Sequence, residues 1–201
     1  MEIFTTILDC TLALIALINP VSKIFIISTL SEKTSDREIR RTAVKSTFIA
    51  AWILLSFLFV GNFLLSTIFH VQIHSFKIAG GLVLLYNGFQ ALTKGLFFEV
   101  DYSQKLEDLS IVPLASPMIA GPATITASVS FPAKYGLLVT SISILIAISI
   151  NLAIMLASRH ISRFLERHHV MSALIRITGL IVATIGIQMM LEGFGDYIKL
   201  L

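Results

Sequence analysis

Long uncharged stretches alternate with short clusters of charge along this chain, and that alternation predicts its elements. No Asp, Glu, Lys or Arg occurs between Lys45 and Lys77, and Thr47 to Phe69 inside that gap makes a membrane helix of ordinary length. Ile78 to Thr93 makes a second, shorter span. Leu109 to Ala133 and Tyr135 to Ser158 make two more, with Phe131-Pro132-Ala133-Lys134 as the tight turn between them. Ile177 to Leu191 is short and borrows snorkelling length from Arg176. Ile3 to Leu30 is apolar but carries Asp9 and Lys23, and it has to cross because its far end feeds the basic segment Glu32 to Lys45. The pattern predicts an all-α membrane protein of six transmembrane helices, a single domain over 1–201.

Composition agrees with that reading. Hydrophobic residues make up 56% and charged residues 13% of the 201, where a soluble domain carries about 25% charge. A soluble core of this size cannot hide so much apolar surface, so lipid is the solvent for most of it. The net charge of +3 is too small an excess to point to nucleic acid. Cys10 is the single cysteine, which excludes an intramolecular disulfide, a CxxC redox pair, a thiolate zinc site and a two-thiol membrane carrier. Met1-Glu2 opens the chain with no basic n-region, so the first apolar stretch is expected to be retained. Eleven of the fifteen Lys and Arg fall on connections 1–2, 3–4 and 5–6, against Lys77, Lys134 and Lys199 on the opposite side. The positive-inside rule then places those eleven in the cytoplasm and both termini outside.

The chain also repeats itself. Gly81-Leu82, Gly88, Gln90 and Gly95 in helix 3 match Gly179-Leu180, Gly186, Gln188 and Gly193 in helix 6 at a constant shift of 98 residues. Asn19-Pro20-Val21-Ser22 in helix 1 matches Gly121-Pro122-Ala123-Thr124 in helix 4 at a shift of 102. Each unit holds three helices, an odd number, so the second copy enters from the opposite side. That is an inverted repeat, a construction typical of secondary transporters. The units are about 1–95 and 109–201, with a cytoplasmic linker over 96–108.

The two proline tetrads are the candidate site. Proline removes a backbone donor and clashes one turn back, so Pro20 and Pro122 should break their helices. Asn19 and Gly121 are residue types that cap a restart, and proline is favoured at the first position after a cap. At 1.5 Å per residue, Asn19 lies roughly 24 Å from one face and Gly121 roughly 18 Å from the other, which puts both breaks near the bilayer midplane. Two restarted helices would offer free amides and partial positive charge to one cavity. Ser22 and Thr124 add hydroxyls at matching places. Such a cradle favours a carboxylate, and the small neighbours Ala115, Ser116, Ala120 and Ala123 favour a small ligand. Asn87, Gln90 and Gln188 either face the same cavity or serve as interhelical hydrogen-bond glue. Lys23 either assists the carboxylate site or a gate, or reaches the cytoplasmic interface or a backbone carbonyl. Asp9 and Glu192 lie near helix ends, so a central carboxylate proton carrier is not expected. A coupling ion, H⁺ or Na⁺, stays open.

Asn19-Pro20-Val21-Ser22 after an apolar run, and Pro113-Leu114-Ala115-Ser116-Pro117-Met118-Ile119-Ala120-Gly121-Pro122-Ala123, resemble the two signature stretches of the MarC family. Gly80-Gly81 and the six-helix layout are similar too. The resemblance covers essentially the whole chain. It implies a six-helix bundle of inverted repeats in the bacterial inner membrane and transport of small neutral amino acids such as glycine and alanine. Lys23 departs from the family's pattern, where a neutral residue is usual.

Other chemistry fits less well. His70 and His74 are four apart without a third ligand in view, and His168 and His169 belong with Arg163 and Arg167 against lipid headgroups. There is no phosphate-binding loop and no hydrolase signature, so neither an enzyme nor a bound cofactor is expected. A secondary transporter is the leading expectation. A passive channel or a non-transporting membrane assembly protein are the alternatives, and the oligomeric state stays open.

Overall fold

Ser35 starts the first long helix by a reciprocal cap. Its Oγ accepts from the Glu38 amide at 3.4 Å, while the Glu38 carboxylate accepts from the Ser35 amide at 3.1 Å. The helix it opens runs Asp36–Phe63 and continues through a wider turn, Leu64–Ile68. The computed structural model describes residues 2–31, 35–95, 118–167 and 170–200, and all regular structure among them is helical. In order, α1 is Glu2–Ile18, α2 Pro20–Ser31, α3 Asp36–Phe63, α4 Ile73–Lys94, α5 Pro122–Tyr135, α6 Leu137–Arg167 and α7 Met171–Ile198.

Among the described residues, three stretches are long and apolar enough to cross a membrane: Asp36–Ile68, Leu137–Leu165 and Met171–Ile198. The other expected crossings are of different kinds. α1 and α2, at 17 and 12 residues, are each too short alone and meet at Asn19. α4 has 22 residues but carries Lys77, Asn87, Gln90 and Lys94. Of the fourth crossing, only the part from Met118 onward is among the described residues. The linker 96–108, the stretch 109–117 and His168-His169 lie outside them.

Two boundaries differ from the sequence expectation. Phe131-Pro132-Ala133-Lys134 is not the turn but the last part of α5; the chain turns at Gly136, whose φ of +84° suits glycine. Its amide donates to the Pro132 carbonyl at 3.0 Å, and α6 begins at the next residue. The basic residues of the expected cytoplasmic loops are also helical: Arg37, Arg40, Arg41 and Lys45 extend α3, Arg159, Arg163 and Arg167 extend α6, and Arg176 sits in α7.

The closest packing joins α4 to α7, antiparallel. A Cβ on Gly81 would stand 2.5 Å from the Gly186 carbonyl oxygen, and one on Gly186 2.6 Å from the Gly81 oxygen. One turn pair further, Gly88 and Gly179 meet in the same reciprocal way. Any side chain at these positions would push the backbones apart. Lys77 pairs with Asp196 at 2.7 Å near one end of this pair, and Arg176 donates to the Leu92 carbonyl near the other. α6 packs along both α1 and α2 and also meets α3, which in turn lies beside α5. Leu14, Ile18, Leu54, Ile119, Ile144 and Met155 form the apolar centre of that group. Arg159 pairs with Asp36 where α6 passes the start of α3.

The radial distribution of polarity is inverted relative to a soluble protein. Ser46, Thr47, Ser128, Thr140, Ser143 and Asn151 are buried, while Phe48, Trp52, Phe59, Phe89, Leu138 and Leu180 face outward. An apolar exterior around a small-residue, hydroxyl-rich interior is what lipid solvation selects.

Candidate functional site

The site is built where two helices restart. α1 ends with the Asn19 amide donating to the Ile15 carbonyl at 2.9 Å, and Asn19 itself takes a φ of +52°. Left-handed backbone stops a helix, and asparagine tolerates it better than other side-chain-bearing residues. Asn19 therefore closes α1 as well as preceding α2, a role the sequence reading as a simple N-cap did not contain. Pro20 follows as the first residue of α2, and the Ser22 amide donates to the Asn19 carbonyl at 3.2 Å.

The second restart uses different backbone. Gly121 is extended, with φ −88° and ψ 173°, Pro122 opens α5, and the Ile125 amide donates to the Gly121 carbonyl at 2.9 Å. The two hydroxyls behave alike. Ser22 Oγ donates to the Asn19 carbonyl at 2.7 Å, and Thr124 Oγ1 lies 3.0 Å from the Gly121 carbonyl and 2.8 Å from that of Ile119. Both protons are thus spent on the chain itself. The sequence led to the expectation that Ser22 and Thr124 donate to a carboxylate; here each hydroxyl proton holds its own break and leaves lone pairs to offer a ligand.

Lys23 joins the two restarts. It is 1% exposed. Its ammonium donates to the Ile18 carbonyl, to the Met118 carbonyl at 2.7 Å, and at 3.4 Å to the Asn19 carbonyl. Ile18 and Asn19 end α1, whereas Met118 lies in the turn before Gly121. Among the described residues its partners are backbone oxygens from both breaks. Helical side chains lean toward the N-terminus, which here carries the ammonium back to the break rather than on along α2.

Around this junction lies a cavity of about 40 Å³. Leu17, Ile18, Asn19, Ser22 and Lys23 line it from the first break, and Met118, Gly121, Pro122, Ala123 and Thr124 from the second. Val83, Leu84 and Asn87 of α4 and Val182 of α7 complete the wall. Among the described residues none that line it is acidic. Pro20 and Val21 shape the break without lining the cavity, and Ala115 and Ser116 lie outside the described residues. Of the three amides singled out from the sequence, only Asn87 reaches this cavity. Gln188 lines a second one of about 300 Å³ and donates to Glu192 at 3.1 Å. Gln90 lines neither. The 98-residue shift places Gln90 and Gln188 at equivalent helix positions, but equivalent positions need not face the same space.

The larger cavity was not read from the sequence. Ala13, Ala16 and Leu17 of α1, Lys77 of α4, Thr126, Ser130 and Phe131 of α5, and Gln188 and Glu192 of α7 line it. Leu17 belongs to both walls, and Thr124 and Thr126 stand a half-turn apart on α5, so the two spaces are neighbours. Its residues come from four separate stretches of sequence, which no local motif announces. His74 is buried against the Tyr197 ring at 5.3 Å, and His70 Nδ1 lies 3.3 Å from the Ser66 carbonyl.

Residues 4–198 match the MarC family integral membrane proteins. The chain belongs to the MarC family. A UPF0056 membrane protein of Pyrococcus horikoshii is 34% identical over 192 residues, covering 96% of this chain and 95% of that protein. The UPF0056 membrane protein YvbG of Bacillus subtilis is 28% identical over 200 residues, 94% of each chain. A UPF0056 membrane protein of Aquifex aeolicus is 27% identical over 197 residues, 94% of this chain and 92% of its own. No solved structure matches the chain. The MarC match runs through both restarts, so the cavity lies in the part of the chain that defines the family. As a MarC protein, this is an integral membrane protein, in accord with its apolar exterior.

Proposed function

We propose that this protein is a secondary transporter of small neutral amino acids, the class of glycine, alanine and serine, working by alternating access between two inverted three-helix repeats. One observation carries the reading: both proline restarts and the buried Lys23 ammonium converge on one small cavity with no acidic residue among the described residues of its wall. A helix N-terminus holds a partial positive charge, worth about 0.3–1 kcal/mol to an anion and up to about 2 kcal/mol when partly buried. Two such termini and an ammonium favour a carboxylate. The substrate's amino group would find the Asn87 amide oxygen and the lone pairs of Ser22 and Thr124.

Volume sets the size class. The space is small, and Ala123, Gly121, Val83 and Val182 stand close around it, which favours a substrate with little or no side chain. The reciprocal contacts of Gly81 with Gly186 and Gly88 with Gly179 support the inverted repeat, because each glycine meets the 98-residue counterpart of the other's neighbour. So does the matching use of Ser22 and Thr124 on their own capping carbonyls. The larger cavity beside α1 and α7 is the approach from the side on which Glu2 and Ile198 lie, which the distribution of arginines assigns to the outside of the inner membrane.

The test is a stability screen of the purified protein against the twenty amino acids. Glycine, alanine and serine should raise the unfolding midpoint, and leucine, phenylalanine and lysine should not. A midpoint that no amino acid moves would remove the reading.

A further inference from the structure

Three carbonyl oxygens that converge on one cation form a cation site whether the cation is free or tethered. The Ile18 and Asn19 carbonyls end α1, where the helix dipole leaves partial negative charge, and Met118 contributes a third from the turn before α5. Unwound carbonyls at the ends of broken helices are the usual ligands of a dissolved Na⁺. Here the place is filled by the Lys23 ammonium, a compact charge with three donors. The three oxygens come from both breaks, the Met118 one lying 95 residues along the chain from Lys23, so whatever cation sits there ties the two breaks together.

We infer that the Ile18, Asn19 and Met118 carbonyls form a monovalent-cation site whose resident cation is the Lys23 ammonium, and that Na⁺ enters it when that side chain is shortened. The protein as it stands therefore needs no dissolved cation at this place. The charge stays attached to α2 through any cycle, so it assists an anionic group without travelling with it. That last consequence rests on the transport reading above; the cation site itself does not.

The experiment compares the purified full-length protein with Lys23→Ala and Lys23→Met. Unfolding midpoints are measured in sodium chloride and in choline chloride at matched ionic strength. Lys23→Ala should gain about 4 °C in sodium relative to choline, the shift a ligand gives near ten times its Kd. The natural protein and Lys23→Met, whose side chains fill the space, should differ by less than about 1 °C between the salts. Should Lys23→Ala fold only when prepared in sodium, the inference holds equally. It is overturned if folded Lys23→Ala has one midpoint in both salts, if it fails to fold in both, or if the natural protein responds to sodium as strongly. Adding glycine to the same samples separates the two readings. No glycine response in any of the three removes the transporter and leaves the sodium result standing.

Discussion

The two breaks share a plan and differ in means. Each has a residue that stops one helix, a proline that opens the next, and a hydroxyl two residues on that donates to the stopping residue's carbonyl. The first achieves its stop with left-handed backbone at Asn19, the second with extended backbone at Gly121. The first carries a buried charge at Lys23; at the 102-residue shift that place is taken in the second by Ile125, a partly buried residue against the apolar centre. The difference teaches that the two breaks share hydrogen-bond topology more strictly than charge. One half supplies the cation, and the other supplies a carbonyl for it through Met118.

Exchanging the two residues that differ most breaks this comparison hardest. In sodium-free buffer, Lys23→Ala should cost about 3 kcal/mol, because buried carbonyls are left without a donor. Ile125→Ala removes only packing and should cost about 2 kcal/mol, with no dependence on the salt cation. Thermal midpoints of both variants in choline and in sodium check this. Equal costs and equal salt responses would mean that Lys23 acts as filler.

Backbone conformation gives the next contrast. Asn19→Leu should lose about 1–2 kcal/mol to left-handed strain, while Asn19→Gly should stay within a few tenths. Gly121→Ala meets no such strain, since its φ of −88° suits any residue, and its effect should fall on ligand affinity through the added volume. Parallel stability and glycine-binding measurements separate strain from crowding.

The hydroxyls give the smallest effect. Ser22→Ala and Thr124→Ala should each lower stability by about 1 kcal/mol, the usual worth of one internal hydrogen bond, with Thr124 costing more because it meets two carbonyls. Loss of glycine affinity without loss of stability would mean that the hydroxyl protons serve the ligand after all.

Much of this site was legible before the fold, and the reasons are local. Pro20 and Pro122 dictate restarts whatever surrounds them, and glycines at matching intervals mark the α4–α7 contact because close backbone approach admits little else. What was misread depended on which partner each group meets, near or far in the chain. Phe131-Pro132 looks like a turn, yet the missing proline amide is tolerated in α5 and Gly136 makes the corner. The hydroxyls of Ser22 and Thr124 looked free until their nearest acceptors proved to be their own breaks. Lys23 was ambiguous in sequence because one of its oxygens comes from Met118, on the other side of the repeat. The larger of the two cavities draws on four stretches and leaves no pattern in any one of them.

The central claim is that the two restarts hold the carboxylate of a small amino acid during carrier exchange. Counterflow of labelled glycine in proteoliposomes tests it most directly, with competitors that differ in one group at a time. The account predicts saturable exchange that alanine and serine inhibit, while glycinamide, which lacks the carboxylate, and leucine, which exceeds the cavity, do not. Inhibition by glycinamide as strong as that by alanine, or no counterflow at all, would contradict it.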